Sequence, residues 1–400
     1  MGRTGIYGGT FNPPHNGHLL AAREAVRTLQ LDRVIFIPAA QPPHKQMPAG
    51  SPDGRTRMAL LEQAVSGLPW AEVSSMELDR NGPSYTADTL RILAAQRPDD
   101  TLYLLMGTDM FLSLHTWYKP EVICSLAVIV LCVRDAADDE KLESIRRQKK
   151  LLEKRFHAEV LIPDTAFTDI SSTMVRRMLV FRCAGTFLPE GLPEMIQAQG
   201  LYGTGRDLRN LPFPELREVS LSLHRPKRAV HADGVCKTAV ELARHWGENE
   251  TDAARAGILH DVTKALEREE QLRLCEKYGI ITDAFEQANY KLLHARTGAA
   301  VAEHIFGENE AVCNAIYWHT TGRAGMTTME KILYLADYTE PGRDFAGVDT
   351  LRTLSFQNLD EAMLLGLEMS IAELEQENKP VGPWSVQARD WFRSRKEREA

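Results

Sequence analysis

The chain changes rhythm halfway along. In the first half, short apolar runs rich in β-branched residues at 4–8, 33–38, 102–106, 126–133 and 158–162 alternate with helical stretches at 17–30, 55–66, 84–96, 139–155 and 173–182. Strand-length runs interleaved with helical periods at this spacing predict βαβ units, that is, a Rossmann-like α/β domain with a parallel sheet and helices on both faces. From about residue 215 the strand signals vanish. Helical periods follow at roughly 229–246, 252–278, 283–306, 309–319, 327–339 and 358–376, which predicts an all-α second domain. The stretch Tyr202–Pro214 carries Gly203, Gly205 and Pro212 without periodicity. It is expected to hold a linker at 204–214 between domains 1–203 and 215–400.

Composition narrows the function classes. With 44% hydrophobic and 26% charged residues the chain is an ordinary globular sequence, and 400 residues predict two or three domains. The net charge of -8 sits entirely in residues 211–400, with 23 basic against 31 acidic side chains, whereas residues 1–210 hold 24 of each. That balance excludes non-specific nucleic-acid binding, which needs a basic footprint. The run Arg146–Arg155, with interleaved leucines, reads as the solvated face of a helix. Six scattered cysteines with no C-x-x-C pair form neither a disulfide framework nor a zinc site, and suit a reducing cytoplasm. The longest apolar run, Leu126–Val133, fits a buried strand and is too short for a membrane span. No secretory signal is expected at the N-terminus, so the chain is expected in the cytoplasm, with neither nucleic acid nor membrane as partner.

The first chemical motif follows the first strand: Gly8-Gly9-Thr10-Phe11-Asn12-Pro13-Pro14-His15-Asn16-Gly17-His18. It is neither a Walker A loop nor G-x-G-x-x-G. Paired glycines let the backbone approach a ligand, and the strand delivers the chain to a helix N-terminus, where free N–H groups favour an anion. His15 and His18, three apart in that first turn, can both face the same anion and donate to a phosphate whose charge grows in the transition state. A second element, Ile170-Ser171-Ser172-Thr173-Met174-Val175-Arg176-Arg177, opens a late helix with hydroxyls and N–H groups.

These residues resemble the H-x-G-H nucleotidyltransferase superfamily. Within it, residues 3–203 are similar to bacterial nicotinate-mononucleotide adenylyltransferases, on the further strength of Ile37-Pro38-Ala39 with Pro43-His44-Lys45, Ser84-Tyr85-Thr86 with Asp88-Thr89, Met106-Gly107-Thr108-Asp109 and Leu114-His115-Thr116-Trp117-Tyr118. The resemblance implies transfer of AMP from ATP, with Mg²⁺, to nicotinate mononucleotide. It implies that Gly8, Gly9, Thr10, Phe11, His15, His18, Ser172, Thr173 and Arg176 hold ATP, with His15 and His18 catalytic. It also implies that Lys45, Thr86, Asp109, Trp117 and Tyr118 hold the mononucleotide: Lys45 on phosphate, Thr86 and Tyr118 through amides to the nicotinate carboxylate, and Trp117 stacked on the pyridine ring. An aromatic platform with neutral amide donors suits a flat, anionic heterocycle. A different adenylyl- or cytidylyltransferase is the competing reading.

The second half places polar residues on apolar stripes. His231 shares a stripe with Val235, Thr238 and Leu242; His294 with Gly298, Val301 and Ile305; His319 follows Val312 and Ile316; Asp337 comes one turn after Leu333. His260 and Asp261 are adjacent, with Lys264 one turn on. Buried carboxylates cost several kcal/mol each unless a cation or hydrogen bonds offset them, and imidazole with carboxylate suits Fe, Mn, Zn or Mg.

The order His…His-Asp…His…His…Asp resembles the HD superfamily of metal-dependent phosphohydrolases. Arg228-x-x-His231-x-x-Gly234-Val235, Tyr317-Trp318-His319-Thr320 and Ala336-Asp337-Tyr338-Thr339-Glu340-Pro341-Gly342-Arg343 add a likeness to its YqeK-type branch, the symmetrical diadenosine-tetraphosphate hydrolases. The resemblance implies that His231, His260, Asp261 and Asp337 bind a divalent metal, iron or another. It implies that Asp261 and Lys264 are catalytic, and that Arg228, Lys264, His294, His319, Thr320 and Arg343 meet ADP-like phosphates, with His294 and His319 as possible ligands of a second ion. Cleavage at the central bridge would then give two ADP. The competing readings are a regulatory metal- or nucleotide-binding module without turnover, and an HD hydrolase of another nucleotide.

Overall fold

The computed structural model describes residues 2–42, 46–48, 50–80, 82–133, 139–163 and 170–399. The chain forms two compact units, residues 1–206 and 207–400. In the first, the order is β1 (Arg3–Gly9), α1 (Asn16–Leu29), β2 (Arg33–Pro38), α2 (Gly54–Val65), β3 (Ala71–Val73), α3 (Thr86–Gln96), β4 (Thr101–Gly107), α4 (Thr108–Ser113), α5 (Pro120–Leu126), β5 (Val128–Cys132), α6 (Asp139–Phe156), β6 (Val160–Leu161), α7 (Ser172–Val180) and α8 (Leu192–Ala198).

The sheet order is β3-β2-β1-β4-β5-β6, every pair parallel. Strand alternation feeds two cores. Ile6, Ile35, Ile37, Leu104, Met106, Ile129 and Leu131 pack on one face with residues of α3, α5 and α6. Tyr7, Val34, Phe36, Tyr103, Leu105, Val128 and Val130 pack on the other with residues of α1 and α2. Burial on both faces explains why these strands read as continuous apolar runs. The order of connection across the sheet reverses between β1 and β4, and in such sheets the crevice outside the C-terminal ends of the strands at that switch point is the position that takes ligands.

The apolar run at 126–133 divides differently from its reading as one strand. Pro120 starts α5 after Lys119 in a left-handed conformation, Leu126 closes that helix, and only Val128–Cys132 is strand. β3 and the short helices α4, α5 and α8 carry too few turns for periodicity to register.

The second unit is α9 (Phe213–Leu223), α10 (Pro226–Trp246), α11 (Glu250–Leu259), α12 (Arg268–Lys277), α13 (Ala284–Ala288), α14 (Leu293–Val301), α15 (Glu310–Trp318), α16 (Thr328–Thr339), α17 (Val348–Ser355), α18 (Leu359–Gln376) and α19 (Pro383–Glu399). Among the described residues all strands lie in the first unit. Much of the expected linker belongs to this second unit: Leu208 and Leu211 are buried, and Asn210 N–H donates to Phe306 O. The helix expected over 252–278 breaks after Leu259, and the chain turns through His260–Lys264 before α12. Neighbouring residues on a helix point about 100° apart, whereas here His260 and Asp261 converge on one centre. α10 and α11 meet backbone to backbone, since a Cβ on Gly257 would lie 2.6 Å from Cys236 Cα. Among the described residues no helix is long and apolar enough to cross a membrane.

Candidate functional sites

In the first unit the chain leaves β1 through Phe11, held at φ 47°, and enters α1 with His15 as its N-cap. The His15 and His18 rings stack at 3.6 Å between centroids. Backbone N–H of His15 donates to His18 Nδ1 at 3.2 Å. That Nδ1 is therefore the bare nitrogen, and Nε2 carries the proton and can donate outward. Tyr7 and Phe11 meet the His18 ring edge-on at 5.9 and 5.0 Å, fixing its plane. The glycine between the histidines has a packing reason: a Cβ on Gly17 would come within 3.1 Å of His15 Nδ1 and 3.2 Å of Ile170 Cβ.

That close approach brings together the two motifs read from sequence. Ser172 Oγ donates to Pro13 O at 3.0 Å and Arg176 Nη1 to Asn12 O at 2.6 Å, while Arg176 Nη2 reaches Thr173 Oγ1 at 3.1 Å. Ser171 caps α7 by accepting from Met174 N–H. A residue not singled out from sequence completes the loop: Arg57, only 2% exposed, donates to Thr10 O and, at 2.7 Å, to Ala39 O. It ties the ends of β1 and β2 together. Arg57 shares a helical stripe with Leu60, Leu61 and Ala64, so its inward position is legible in the sequence, as for the histidines of the second half. Burial lowers the pKa of both Arg57 and Arg176 and raises that of the nearby Tyr202 phenol.

Across the crevice, Thr86 is the first residue of α3 and Asp109 lies in the first turn of α4, exposed. Trp117 and Tyr118 follow a single 3₁₀ turn. Tyr118 is 41% exposed and meets Tyr85 at 4.5 Å between ring centroids, so the Ser84–Thr86 and Trp117–Tyr118 segments share one rim. Tyr85 was not predicted as a site residue. Trp117 Nε1 donates to Ser113 Oγ at 3.2 Å, and its ring packs partly on the core. Lys45 lies outside the described residues.

The second unit's centre is built at the ends of α10, α11, α14, α15 and α16. Side-chain exposure is 11% for His231, 0% for His260, 1% for His294 and His319, and 2% for Asp261. Three imidazoles share one device: Nδ1 donates to the carbonyl three residues back, His260 to Gly257 O at 2.7 Å, His294 to Lys291 O at 2.6 Å and His319 to Ile316 O at 2.6 Å. A carbonyl only accepts, so each Nδ1 carries the proton and each Nε2 presents a lone pair. Those lone pairs face carboxylates and one another. His294 Nε2 lies 3.2 Å from Asp261 Oδ1 and 3.1 Å from His319 Nε2; His260 Nε2 lies 3.6 Å from Asp261 Oδ2; His231 Nε2 lies 3.1 Å from Asp337 Oδ1.

Acceptors so crowded call for cations. On the exposed side Arg228 donates to Asp261 Oδ2 at 2.9 Å, Arg343 to Asp337 Oδ1 at 2.7 Å and Lys264 to His294 Nε2 at 3.0 Å, with Thr320 Oγ1 at 3.2 Å from His319 Nε2. His231 Nε2, His260 Nε2 and Asp261 Oδ1 nevertheless stay buried without a hydrogen-bond partner. Two overlapping groups place ligand atoms within 4.8 Å of one another: His231, His260 and Asp337, and His260, Asp261 and His319. A divalent cation fits this donor set. Burial drives the His260 and His294 pKa values down to about 4, so both are neutral and ready to coordinate near pH 7. Burial alone would raise the Asp261 carboxyl, but His260 and Lys264 hold it well below its ordinary range.

Comparison with known proteins agrees with this division. A cytidylyltransferase-like family model matches residues 6–178 and an HD domain model matches residues 228–342. The chain is 37% identical over 205 residues to a Geobacillus thermodenitrificans protein named "Probable nicotinate-nucleotide adenylyltransferase", spanning 51% of this chain and 87% of that one. A protein of the same name from Citrifermentans bemidjiense is 38% identical over 217 residues, spanning 51% of this chain and all of that one. A solved structure from Clostridium acetobutylicum, described as a "predicted HD superfamily hydrolase involved in NAD metabolism", is 34% identical, with TM-score 0.45, and covers 46% of this chain and 98% of its own.

Proposed function

The chain belongs to the nicotinate-nucleotide adenylyltransferase family and carries an HD domain after that unit, and from this premise we infer one enzyme with two active sites. In the first, a phosphate oxygen of nicotinate mononucleotide attacks the α-phosphorus of ATP. The bond from that phosphorus to the β-phosphate bridge breaks, leaving nicotinate adenine dinucleotide and pyrophosphate. No protein nucleophile is required; positioning and charge stabilisation are the protein's share. His18, with Nδ1 occupied by the His15 amide, offers its Nε2 proton to the α-phosphate as charge builds. The α1 N-terminus and the Gly8–Phe11 backbone add N–H donors. Ser172, Thr173 and Arg176 stand over the same loop and meet the ATP phosphates from the other side. Mg²⁺ travels with ATP. The aromatic rim of Tyr118 and Trp117, with Thr86, receives the nicotinate ring and its carboxylate, Asp109 stands at the β4 end of the same crevice, and Lys45 meets the acceptor phosphate.

In the second, the reading is symmetrical hydrolysis of diadenosine tetraphosphate to two ADP. It is carried by one observation, the convergence of four imidazole Nε2 atoms and two carboxylates, with Arg228, Lys264 and Arg343 beside them. His231, His260, Asp261 and Asp337 would hold a divalent ion, which would supply a Lewis acid and lower the pKa of water there. The chain's own residues then bind and orient the substrate. Arg228, Lys264 and Arg343, which pair with the carboxylates and His294, line the exposed side for phosphates, and Thr320 with His294 and His319 closes the deep side.

The test uses the full chain. With ATP, Mg²⁺ and nicotinate mononucleotide it should form the dinucleotide and pyrophosphate. Loaded with Fe²⁺ or Mn²⁺ and given diadenosine tetraphosphate it should release ADP alone. ATP plus AMP would mean a different cleavage register, and an uncut tetraphosphate, with other nucleoside polyphosphates also intact, would replace hydrolysis with the regulatory-module reading.

A further inference from the structure

His231 differs from the other three imidazoles. His260, His294 and His319 hold their Nδ1 protons on carbonyls of their own chain turn, but His231 sits inside α10, where the helix has used its carbonyls. Its Nδ1 instead lies 3.1 Å from Oε1 of Glu340, the residue that caps the C-terminus of α16. Glu340 is 5% exposed, and its other oxygen accepts from Gly342 N–H at 2.6 Å. Two glycines make the space: a Cβ on Gly234 would come within 2.6 Å of Glu340 Oε2, and one on Gly342 within 2.9 Å of Oε1. The backbone around Glu340 is pinned as well. Arg352, from α17, donates to Thr339 O at 2.9 Å, Glu340 O at 3.1 Å and Arg343 O at 2.7 Å.

We propose that Glu340 is a positioning residue of the metal centre, holding His231 as the Nδ1–H tautomer with its Nε2 lone pair aimed at the ion, and that Gly234 is glycine to admit this carboxylate. The inference rests on the metal reading of the second unit. A buried carboxylate with a ring nitrogen at one oxygen and a backbone N–H on the other, in a cradle two side chains would fill, suits the work of an outer partner that orients a ligand and raises its basicity. Because Nε2 of His231 also faces Asp337, either proton placement satisfies the ring in isolation; only the Nδ1–H form leaves His231 a ligand. Glu340 decides between them by giving the proton a second, buried carboxylate away from the ion.

The experiment titrates the full chain with Mn²⁺ alone and follows bound metal by electron paramagnetic resonance. Glu340→Leu, which keeps the volume and loses the acceptor, should weaken Mn²⁺ binding by about 10- to 100-fold, the scale for removing such a partner. Glu340→Gln, which keeps an acceptor oxygen, should recover most of that loss, which a purely space-filling role would not require. Gly234→Ala should weaken binding by displacing the carboxylate, and it serves in place of Glu340→Leu should that variant not fold. Wild-type affinity in both Glu340→Leu and Gly234→Ala overturns the positioning role while leaving the metal reading intact. Absence of Mn²⁺ binding by the wild type, or binding unaltered by Asp261→Ala, overturns the metal reading itself and this inference with it.

Discussion

The two candidate sites are built on opposite polarity. Around His18 the first unit gathers donors: the helix start of α1, the glycine turn and an imidazole whose outward nitrogen holds its proton. Around Asp261 the second unit gathers acceptors: lone pairs of imidazoles whose protons are tied up on carbonyls, set against two carboxylates. The first arrangement offers donors that suit an anion; the second, behind Arg228, Lys264 and Arg343, presents buried lone pairs that suit a cation. The same side chain, histidine, serves both because the backbone decides which nitrogen keeps the proton. In the first unit an N–H points at Nδ1 of His18; in the second a C=O does so for His260, His294 and His319.

The most severe test of this contrast is Asp261→Ala. It removes the charged group faced by His231, His260, His294 and His319, so bound metal and tetraphosphate hydrolysis should both fall below detection while adenylyl transfer continues, as measured by metal content and product chromatography on one sample. Persistent hydrolysis in metal-stripped protein would break the contrast. Next in size, His18→Ala should lower kcat for adenylyl transfer by about 10²-fold or more, the scale of losing a donor to developing charge, and should leave metal content unchanged. Near-normal turnover would take His18 out of the chemistry. Smaller again, Trp117→Ala should raise KM for the mononucleotide about tenfold, the scale of one stacking contact, with little change in KM for ATP. An equal rise for both substrates would show that the tryptophan only supports the rim.

The mildest effect concerns pH. Folding holds His260 and His294 neutral, with pKa values near 4 against 6.5 in the open chain. Between those values the unfolded state binds more protons, so the stability they contribute is present above about pH 6.5 and declines as the pH falls toward 4. The depressed carboxyls of Asp261 and Asp337 act in the same direction at lower pH. In metal-free protein the unfolding transition of the second unit should therefore shift to lower urea between pH 6.5 and 4, and an unchanged midpoint would contradict the burial argument.

Much of this was legible in the sequence, and the reasons are physical. Strands buried on both faces write themselves as apolar runs, which is why β1, β2 and β4 were readable almost to the residue. Histidines on apolar stripes announced the second centre because helical phase is a reliable ruler over two or more turns. Phase gives no such help across a break, so the turn at His260–Lys264 was hidden within one long helical period. Nor could periodicity find α9, α17 or α19, where proline starts, short length or a mostly charged surface blur the stripe. Arg57 is legible on the apolar stripe of α2, whereas the role of Glu340 is not, because its partner lies 109 residues away in sequence.

Gly257 carries a last consequence. With no side chain between them, α10 and α11 interlock along their main chains, so the relative placement of His231 and His260 is fixed when the helices fold and does not depend on what later binds between them. An incoming ion therefore meets a preorganised receptor rather than assembling one. It should bind with little gain in helical content, and ions should be ranked by how well their radius matches a gap that cannot relax to suit them.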